Sequence, residues 1–404
     1  MNYSPDEITQ YIAEEDVKFI RLAFCDVFGK QKNVSVMPSE LERAFRYGIA
    51  VDGSAIAGFG TDIHSDLFLH PDPATLSVLP WRPEHGRVVR MFCDIRHPDG
   101  TVFKYDTRAV LKAAVKKAEE AGISFAFGSE MEFYLFKCDE NGNATEEPYD
   151  HAGYMDIAPE DKGENVRREI CLTLEQMGIL PESSHHEEGP GQNEIDFRYS
   201  DPLSAADNAA TFRTVVRTVA SRNGLFADFS PKPLSDKPGN GMHINFSAKK
   251  KNGEDMTAFA AAGILRHISG LTAFLNPSDD SYRRLGKDKA PKYVSWSAEN
   301  RSQLIRIPAA EGEYKRAELR SPDPSCNPYL ALALLICAGL DGIENRLVLP
   351  SPEDKNLYNL PAKEAAAQTP LPATWQEAKK AALHDDFVKT VLSEHLIREY
   401  CGKQ

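Results

Sequence analysis

Four short stretches of the chain alternate apolar and polar residues with a period of two. In FGSEMEFYLF, residues 127–136, the residues Phe127, Met131, Phe133 and Leu135 share one side of an extended strand, and Gly128, Glu130 and Glu132 share the other. QNEIDFRYS sets Ile195, Phe197 and Tyr199 against Glu194, Asp196 and Arg198. GMHINFS sets Met242, Ile244 and Phe246 against His243, Asn245 and Ser247, and KRAELRS sets Ala317 and Leu319 against Arg316, Glu318 and Arg320. Like charges two residues apart on one face repel unless they are solvated or matched by a cation. A merely wet face would mix Lys, Thr, Ser and Gln. Here lysine is missing from the polar sides, Glu with His is a ligand set for a hard divalent ion such as Mg²⁺ or Mn²⁺, and the interleaved arginines suit bidentate binding of phosphate or carboxylate. The pattern predicts a mainly antiparallel sheet with helices on its apolar side and a polar face that holds metal ions and an anionic substrate.

Other segments carry helical periodicity: RAVLKAAVKKAEEAG, closed by Gly122, then NVRREICLTLEQMG, AADNAATFRTVVRTVASRNG and MTAFAAAGILRHISGLTAFL. The apolar run YLALALLICAGL has 12 residues before Asp341, too short to span a bilayer, and reads as a buried helix. Ahead of residue 100 the chain consists of short β-rich runs around one helix-like segment, SELERAFRYG. The expected fold is α+β, with a small N-terminal domain over residues 1–100 and a larger one over 101–404.

Composition narrows the function. With 404 residues and a formal charge of −13, neither nucleic acid nor an anionic membrane is expected as the main partner. Seven cysteines are scattered without a C-x-x-C pair, which reads as reduced thiols in the cytoplasm rather than a disulfide frame or zinc site. The first residues, MNYSPDEITQYIAEEDVKF, offer neither the basic nor the apolar region of a secretory leader.

Together with VDGSAIAGF, SSHHEEGPGQNEIDFRY, GNGMHINFS, ENRSQLIRIP and ELRSPDPSCNPYLALALLICAGLDGI, the strand FGSEMEFYLF resembles the glutamine synthetase family over roughly residues 17–361. The resemblance implies an N-terminal β-grasp domain, a catalytic domain with an antiparallel sheet, and stacked rings of identical subunits with active sites between neighbours. It also implies that ATP phosphorylates the γ-carboxylate of glutamate and that an amine then displaces phosphate. Carried over by motif position, Glu132, Glu187 and Glu194 hold one metal, and Glu130, His243 and Glu318 the other. Arg301, Arg306, Arg316 and Ser247 match positions near the nucleotide and the transferring group. Arg284 and Arg320 match the residues that hold the carboxylates of glutamate, with Gly239 and His243 beside them. Asp52 and Tyr154 match the nucleophile's pocket, Asp52 coming from the neighbouring subunit. Tyr358 resembles a tyrosine that is adenylylated in some members, and reads here as a surface residue of a loop. In SHHEE, the pair His185 and His186 is left out of the ligand set, because one of two adjacent rings is usually packed or solvent-facing.

Four positions depart from the family pattern. Ala55 replaces a serine, Pro238 an asparagine, Asn245 a histidine, and Lys289 an acid on the flap RLGKDKAP. Three functions are therefore open: a γ-glutamyl ligase for an amine other than ammonia, a glutamine synthetase proper, and a non-catalytic sensor of nucleotide or glutamate.

Overall fold

The structure is a computed structural model that describes residues 3–60, 65–82, 85–308 and 315–402. Its N-terminal sheet is built from β1 (Val17–Cys25), β2 (Gln31–Val36), β3 (Ile49–Asp52), β4 (Asp66–Pro71), β5 (Ser77–Val78) and β6 (Arg87–Arg96). The strands run in the order β2-β1-β6-β4-β3, with β1 parallel to β6 and the other neighbours antiparallel. Two helices, α1 (Pro5–Glu14) and α2 (Leu41–Tyr47), accompany it.

The larger sheet is assembled from β7 (Ile123–Cys138), β8 (Ala144–Pro148), β9 (Pro181–His186), β10 (Gln192–Phe197), β11 (Leu225–Asp228), β12 (Met242–Lys250), β13 (Trp296–Ser297), β14 (Ile305–Arg306) and β15 (Ala317–Leu319). Its main path is β13-β14-β15-β12-β7-β10-β9, antiparallel except between β13 and β14. The central strand β7 spans 16 residues, and each of the four alternating stretches lies on or around a strand of this sheet. As the pattern requires, Phe127, Met131, Phe133, Leu135, Ile195, Ile244, Phe246 and Leu319 are buried.

That apolar face meets helices α3 (Thr107–Glu120), α4 (Glu164–Gln176), α5 (Pro202–Arg222), α6 (Thr257–Leu275) and α8 (Pro328–Glu344), with α7 (Asp279–Arg284) following α6. Side-chain oxygens of Asp106, Asp201 and Asn327 cap α3, α5 and α8 at their N-termini, satisfying amides that have no partner within the helix. The helices α6 and α8 touch at glycines: a Cβ on Gly263 would lie 2.1 Å from the carbonyl oxygen of Ala338, and one on Gly342 2.1 Å from that of Phe259. Though α6 is apolar and long enough to cross a membrane, most of it is buried against its neighbours, and it is a core helix. The run YLALALLICAGL lies in α8 and is wholly buried. Four short helices, α9 (Ala362–Ala365), α10 (Trp375–His384), α11 (Asp386–Val391) and α12 (Glu394–Gly402), complete the chain.

One buried guanidinium ties the N-terminal unit to the helices of the larger one. Arg108 on α3 reaches Asp72 and Asp94 of the N-terminal sheet, each at 2.9 Å, and binds both oxygens of Asp207 on α5 at 3.1 and 3.0 Å.

Candidate active site

Strand register turns four separate sequences into one acidic surface. Glu194 of β10 pairs with Glu132 of β7, and Asp196 with Glu130. On the other side of β7, His243 of β12 pairs with Glu130, while Asn245 pairs with Glu318 of β15 and Glu318 with Arg306 of β14. Side chains on one face of adjacent strands lie close enough to interact, so each acid meets another acid or a nitrogen.

The resulting cavity, of about 470 Å³, is lined by Glu130, Glu132, Glu187, Glu194, His243, Tyr154, Gly239, Arg284, Arg301, Arg306, Arg316 and Arg320, and also by residues that the sequence pattern did not single out as ligands. Glu318 does not line it but is bonded to residues that do. It is buried and accepts hydrogen bonds from Arg306 Nη1 at 3.0 Å and from Arg320 Nη1, with His243 Nδ1 3.7 Å away. His243 Nδ1 also lies 3.2 Å from Glu130 Oε2, and Asn245 donates to Glu130 Oε1 at 2.8 Å. The backbone amide of Gly241 and the side chain of Gln192 donate to Glu132 at 2.8 and 3.2 Å.

Electrostatics divides these acids into two kinds. Burial works against the charge of Glu130, but the His243 and Asn245 hydrogen bonds and nearby positive charge outweigh it and hold the carboxyl down to about 2. Glu194 is pushed well above the usual carboxylate range, by burial first and then by Glu132, Asp196 and Glu130 around it. Glu132 and Asp196 are raised for the same leading reason, burial, with Glu187 and Glu130 respectively adding repulsion. A buried Oδ1 of Asp196 has no hydrogen-bond partner. Groups so placed need protons or cations. Ligand atoms of Glu130, Glu194 and His243 lie within 4.8 Å of one another, as do those of His185, Glu187 and Glu194. This donor set fits divalent cations.

Glycines give the acid-lined cavity its other wall. A Cβ on Gly239 would come 2.9 Å from Arg284 Cγ and 2.3 Å from the carbonyl oxygen of Pro231, and one on Gly241 would come 2.7 Å from Arg284 Nη2. Only glycine lets this loop lie against the buried Arg284, whose Nη1 donates to the carbonyl oxygen of Ser321 at 2.8 Å.

Several expectations are changed by the structure. His185 belongs with the acids: its Nε2 is 3.1 Å from Glu187 Oε1 and 3.7 Å from Glu194 Oε2, because β9 pairs it directly opposite Glu194. Ser183 and His185, two apart on β9, share the face that meets Asp196 and Glu194, but the all-polar stretch gives no alternation to show it and its register is set by pairing. His186 is the packed ring, hydrogen-bonded to Asp150 at 2.8 Å. Tyr358 is half-buried rather than a free surface residue. Its hydroxyl donates to the carbonyl oxygen of Arg301 at 3.3 Å, and burial, opposed by the charges of Arg320 and Arg284, raises it to about 12. Lys289 neither points away nor stands alone: its Nζ is 2.6 Å from Glu188 Oε1 and 5.3 Å from the centre of the Tyr154 ring. Three predicted residues do not line this cavity within one chain: Glu318, which reaches it through Arg306 and Arg320, and two others. Asp52 sits exposed at the end of β3, accepting from Ser54 N at 2.9 Å, and Ser247 lies further along the polar side of β12.

Comparison with known proteins names the arrangement. Models of the glutamine synthetase β-grasp domain and the glutamine synthetase catalytic domain match residues 16–98 and 104–404. The chain belongs to the glutamine synthetase family. The match runs to the last residue, beyond the segment ending near 361 that the motifs alone marked out. Among relatives, the glutamine synthetase of Clostridium saccharobutylicum is 45% identical over 98% of this chain and 93% of its own. That of Methanosarcina mazei is 45% identical over 99% and 93%, and that of Staphylococcus aureus 44% over 100% and 94%. Of solved structures, a GmaS complex with ADP superposes with a TM-score of 0.89 at 28% identity, covering 100% of this chain and 94% of that one. GmaS without ligand gives 0.87 at 29%. The N-terminal sheet is thus a β-grasp domain, the larger unit a catalytic domain of this family, and the chain a family ligase acting on glutamate with ATP. The sensor alternative is set aside.

Proposed function

We propose that the chain joins L-glutamate to an amine larger than ammonia, forming a γ-glutamyl amide through γ-glutamyl phosphate. The observation that carries the choice of amine is Lys289, a cation standing 5.3 Å from the Tyr154 ring where the family pattern has an acid. A small ammonium ion entering there meets like charge, whereas a larger amine can place its nitrogen beyond the lysine and its body in the room left by Ala55.

In this reading Glu130, His243 and Glu318 hold one Mg²⁺ or Mn²⁺, and Glu132, Glu187 and Glu194 the other. When bound, such ions offset negative charge on the transferring phosphoryl group. Arg306, Arg316 and Arg301 face that group, and Ser247 the nucleotide beyond it. Arg284 and Arg320 bind the carboxylates of glutamate, and Gly239 leaves space for them. An oxygen of the γ-carboxylate attacks the terminal phosphorus of ATP and ADP leaves. The amine nitrogen then attacks the acyl carbon, phosphate leaves, and the amine's proton passes to Asp52 of a neighbouring subunit in a ring. The units 1–100 and 101–404 are the natural bodies of such an assembly, because the donor of Asp52 and the acid-lined cavity lie on different ones.

A second reading, glutamine synthesis from ammonia, is favoured by the 44–45% identity to glutamine synthetases and by Glu188, which offsets the Lys289 charge at 2.6 Å. Phosphate release with ATP and glutamate separates the two when ammonium, alkylamines and amino acids are compared in the wild type and in Lys289→Glu. At an effective dielectric of 20 two charges ~4 Å apart interact by ~4 kcal/mol, and by ~1 kcal/mol in water, so on an exposed flap a several-fold change is expected. The substitution should raise kcat/KM for ammonium by ~5-fold or more. Ammonium as the best wild-type acceptor, with no effect of the substitution, leaves the second reading standing.

A further inference from the structure

Away from the acid-lined cavity, with which it shares no lining residue, the β-grasp sheet presents the inverse problem. The parallel pairing of β1 with β6 sets Arg21 directly beside Arg90. Like charges facing each other across a strand pair are destabilising unless something lies between them. Both arginines line a cavity of about 110 Å³ between this sheet and helix α5, together with Gln31, Asn33, Trp81 and Thr211. Among the described residues no carboxylate lines it, and neither arginine forms an ion pair.

Arg90 is 6% exposed, so its charge has little access to water. Its only side-chain hydrogen bond among the described residues goes to Thr211 Oγ1 at 3.3 Å, and its Cζ lies 4.1 Å from the centre of the Phe92 ring. The carboxylate that bears on it most, Asp207, is already occupied: Arg108 binds both its oxygens, and the Tyr329 hydroxyl donates to it at 2.7 Å. Burial lowers the pKa of Arg90 and of Arg21, and Arg82 adds a third positive charge near Arg21. A buried cation normally has a partner, because leaving one unpaired costs several kcal/mol. Neutral donors complete the lining, with the amide groups of Gln31 and Asn33 and the hydroxyls of Thr211 and Thr214 around the two guanidinium groups. The volume is well above the ~10–15 Å³ that a single water needs, and gives room for one small oxyanion group.

We propose that this cavity is a binding site for a small oxyanion, a carboxylate or phosphate group, held between Arg21 and Arg90 at the seam of the β-grasp sheet and α5. Guanidinium groups bind both anions through paired N–H donors, and the ordered neutral donors would take the remaining lone pairs. The site is separate from the acid-lined cavity and does not depend on which amine the chain uses.

The test titrates the purified protein with inorganic phosphate and, separately, with succinate, reading heat and the intrinsic fluorescence of Trp81 against a Trp81→Phe control. Arg90→Gln and Arg21→Gln remove the two guanidiniums one at a time. Arg284→Ala impairs the acid-lined cavity instead. Saturable binding that perturbs Trp81, weakens ~10-fold or more in both arginine-to-glutamine variants and persists in Arg284→Ala supports the site. A response to phosphate alone assigns a phosphoryl ligand, and one to succinate alone a carboxylate. Arg21 is only half-buried, so Arg21→Gln carries the test if Arg90→Gln does not fold. No saturable binding of either anion up to millimolar concentration, or binding lost in Arg284→Ala but kept in Arg21→Gln, overturns the proposal.

Discussion

Glu318 is the residue whose removal should say most about the acid-lined cavity. It is 3% exposed and serves as the counter-charge of Arg306 and Arg320, of which Arg320 is equally buried. Replacing it with alanine leaves two guanidiniums facing each other, and the Nε atoms of both are already buried without partners. Breaking a buried ion pair from one side costs ~3–5 kcal/mol. Arg306 is about a quarter exposed and can turn toward water, so a loss near the lower end, ~3 kcal/mol, is expected for Glu318→Ala. Glu318→Gln keeps the volume and one acceptor oxygen, and should lose about half as much. Turnover behaves differently. If Glu318 also holds a cation, both variants lose a preorganised charge-stabilising group, and phosphate release with saturating ATP, glutamate and amine should fall at least ~100-fold in each. Urea unfolding with and without Mg²⁺ separates the two effects. A ligand at 100 times its Kd stabilises the wild type by ~2.7 kcal/mol, and that increment should shrink in Glu318→Gln even where the fold is intact. Unchanged turnover at saturating Mg²⁺, with an unchanged Mg²⁺ increment, would remove Glu318 from the site.

Two further outcomes follow from named contacts. Arg284→Ala should raise the KM for glutamate by ~10-fold or more while leaving that for ATP nearly unchanged, since Arg284 sits behind Gly239 and Gly241 rather than along the strand toward Ser247; equal weakening of both substrates in steady-state kinetics would instead assign it to folding. Arg108→Met should destabilise by ~3 kcal/mol in urea, because it leaves the buried Asp207 with the Tyr329 hydroxyl in place of a guanidinium, and Asp72 and Asp94 with Lys112 as their remaining cation. Burial raises the Asp72 carboxyl, but the charge and hydrogen bond of Arg108 outweigh it, and the folded value lies below the ordinary 3.8. Its contribution is therefore complete above 3.8 and is lost as pH falls through the folded value, so wild type should lose more stability than Arg108→Met on acidification below that point. Parallel acid-unfolding curves for the two would refute this assignment.

Much of this architecture is written locally. A strand alternates its side chains whatever it pairs with, so Glu130, Glu132, Glu194, His243 and Glu318 could be placed on polar faces, and Met131, Ile195 and Ile244 in the core, from spacing alone. The same holds for the helices and for the apolar segment of α8, whose 12 residues could only be buried. Family membership was legible for a related reason: the motifs keep their residue types in order along the chain.

Alternation assigns a face but not a neighbour. Register between strands many residues apart is set by packing of the whole sheet, and it alone decides that Glu132 meets Glu194, that Asp196 flanks Glu130, and that His185 lies opposite Glu194. Glu188 and Lys289 come to the acid-lined cavity, and Tyr358 to the backbone of Arg301 beside it, on segments whose course has no periodicity to read. Arg21 and Arg90 are 69 positions apart in the chain, and only the parallel ladder of β1 and β6 makes them adjacent. The sequence by itself determined which residues are chemically able to hold charge and on which side of each element they lie. The tertiary structure decided which charges share a space, because electrostatic interaction depends on distance, and distance between remote segments is fixed only when the sheets and helices have packed.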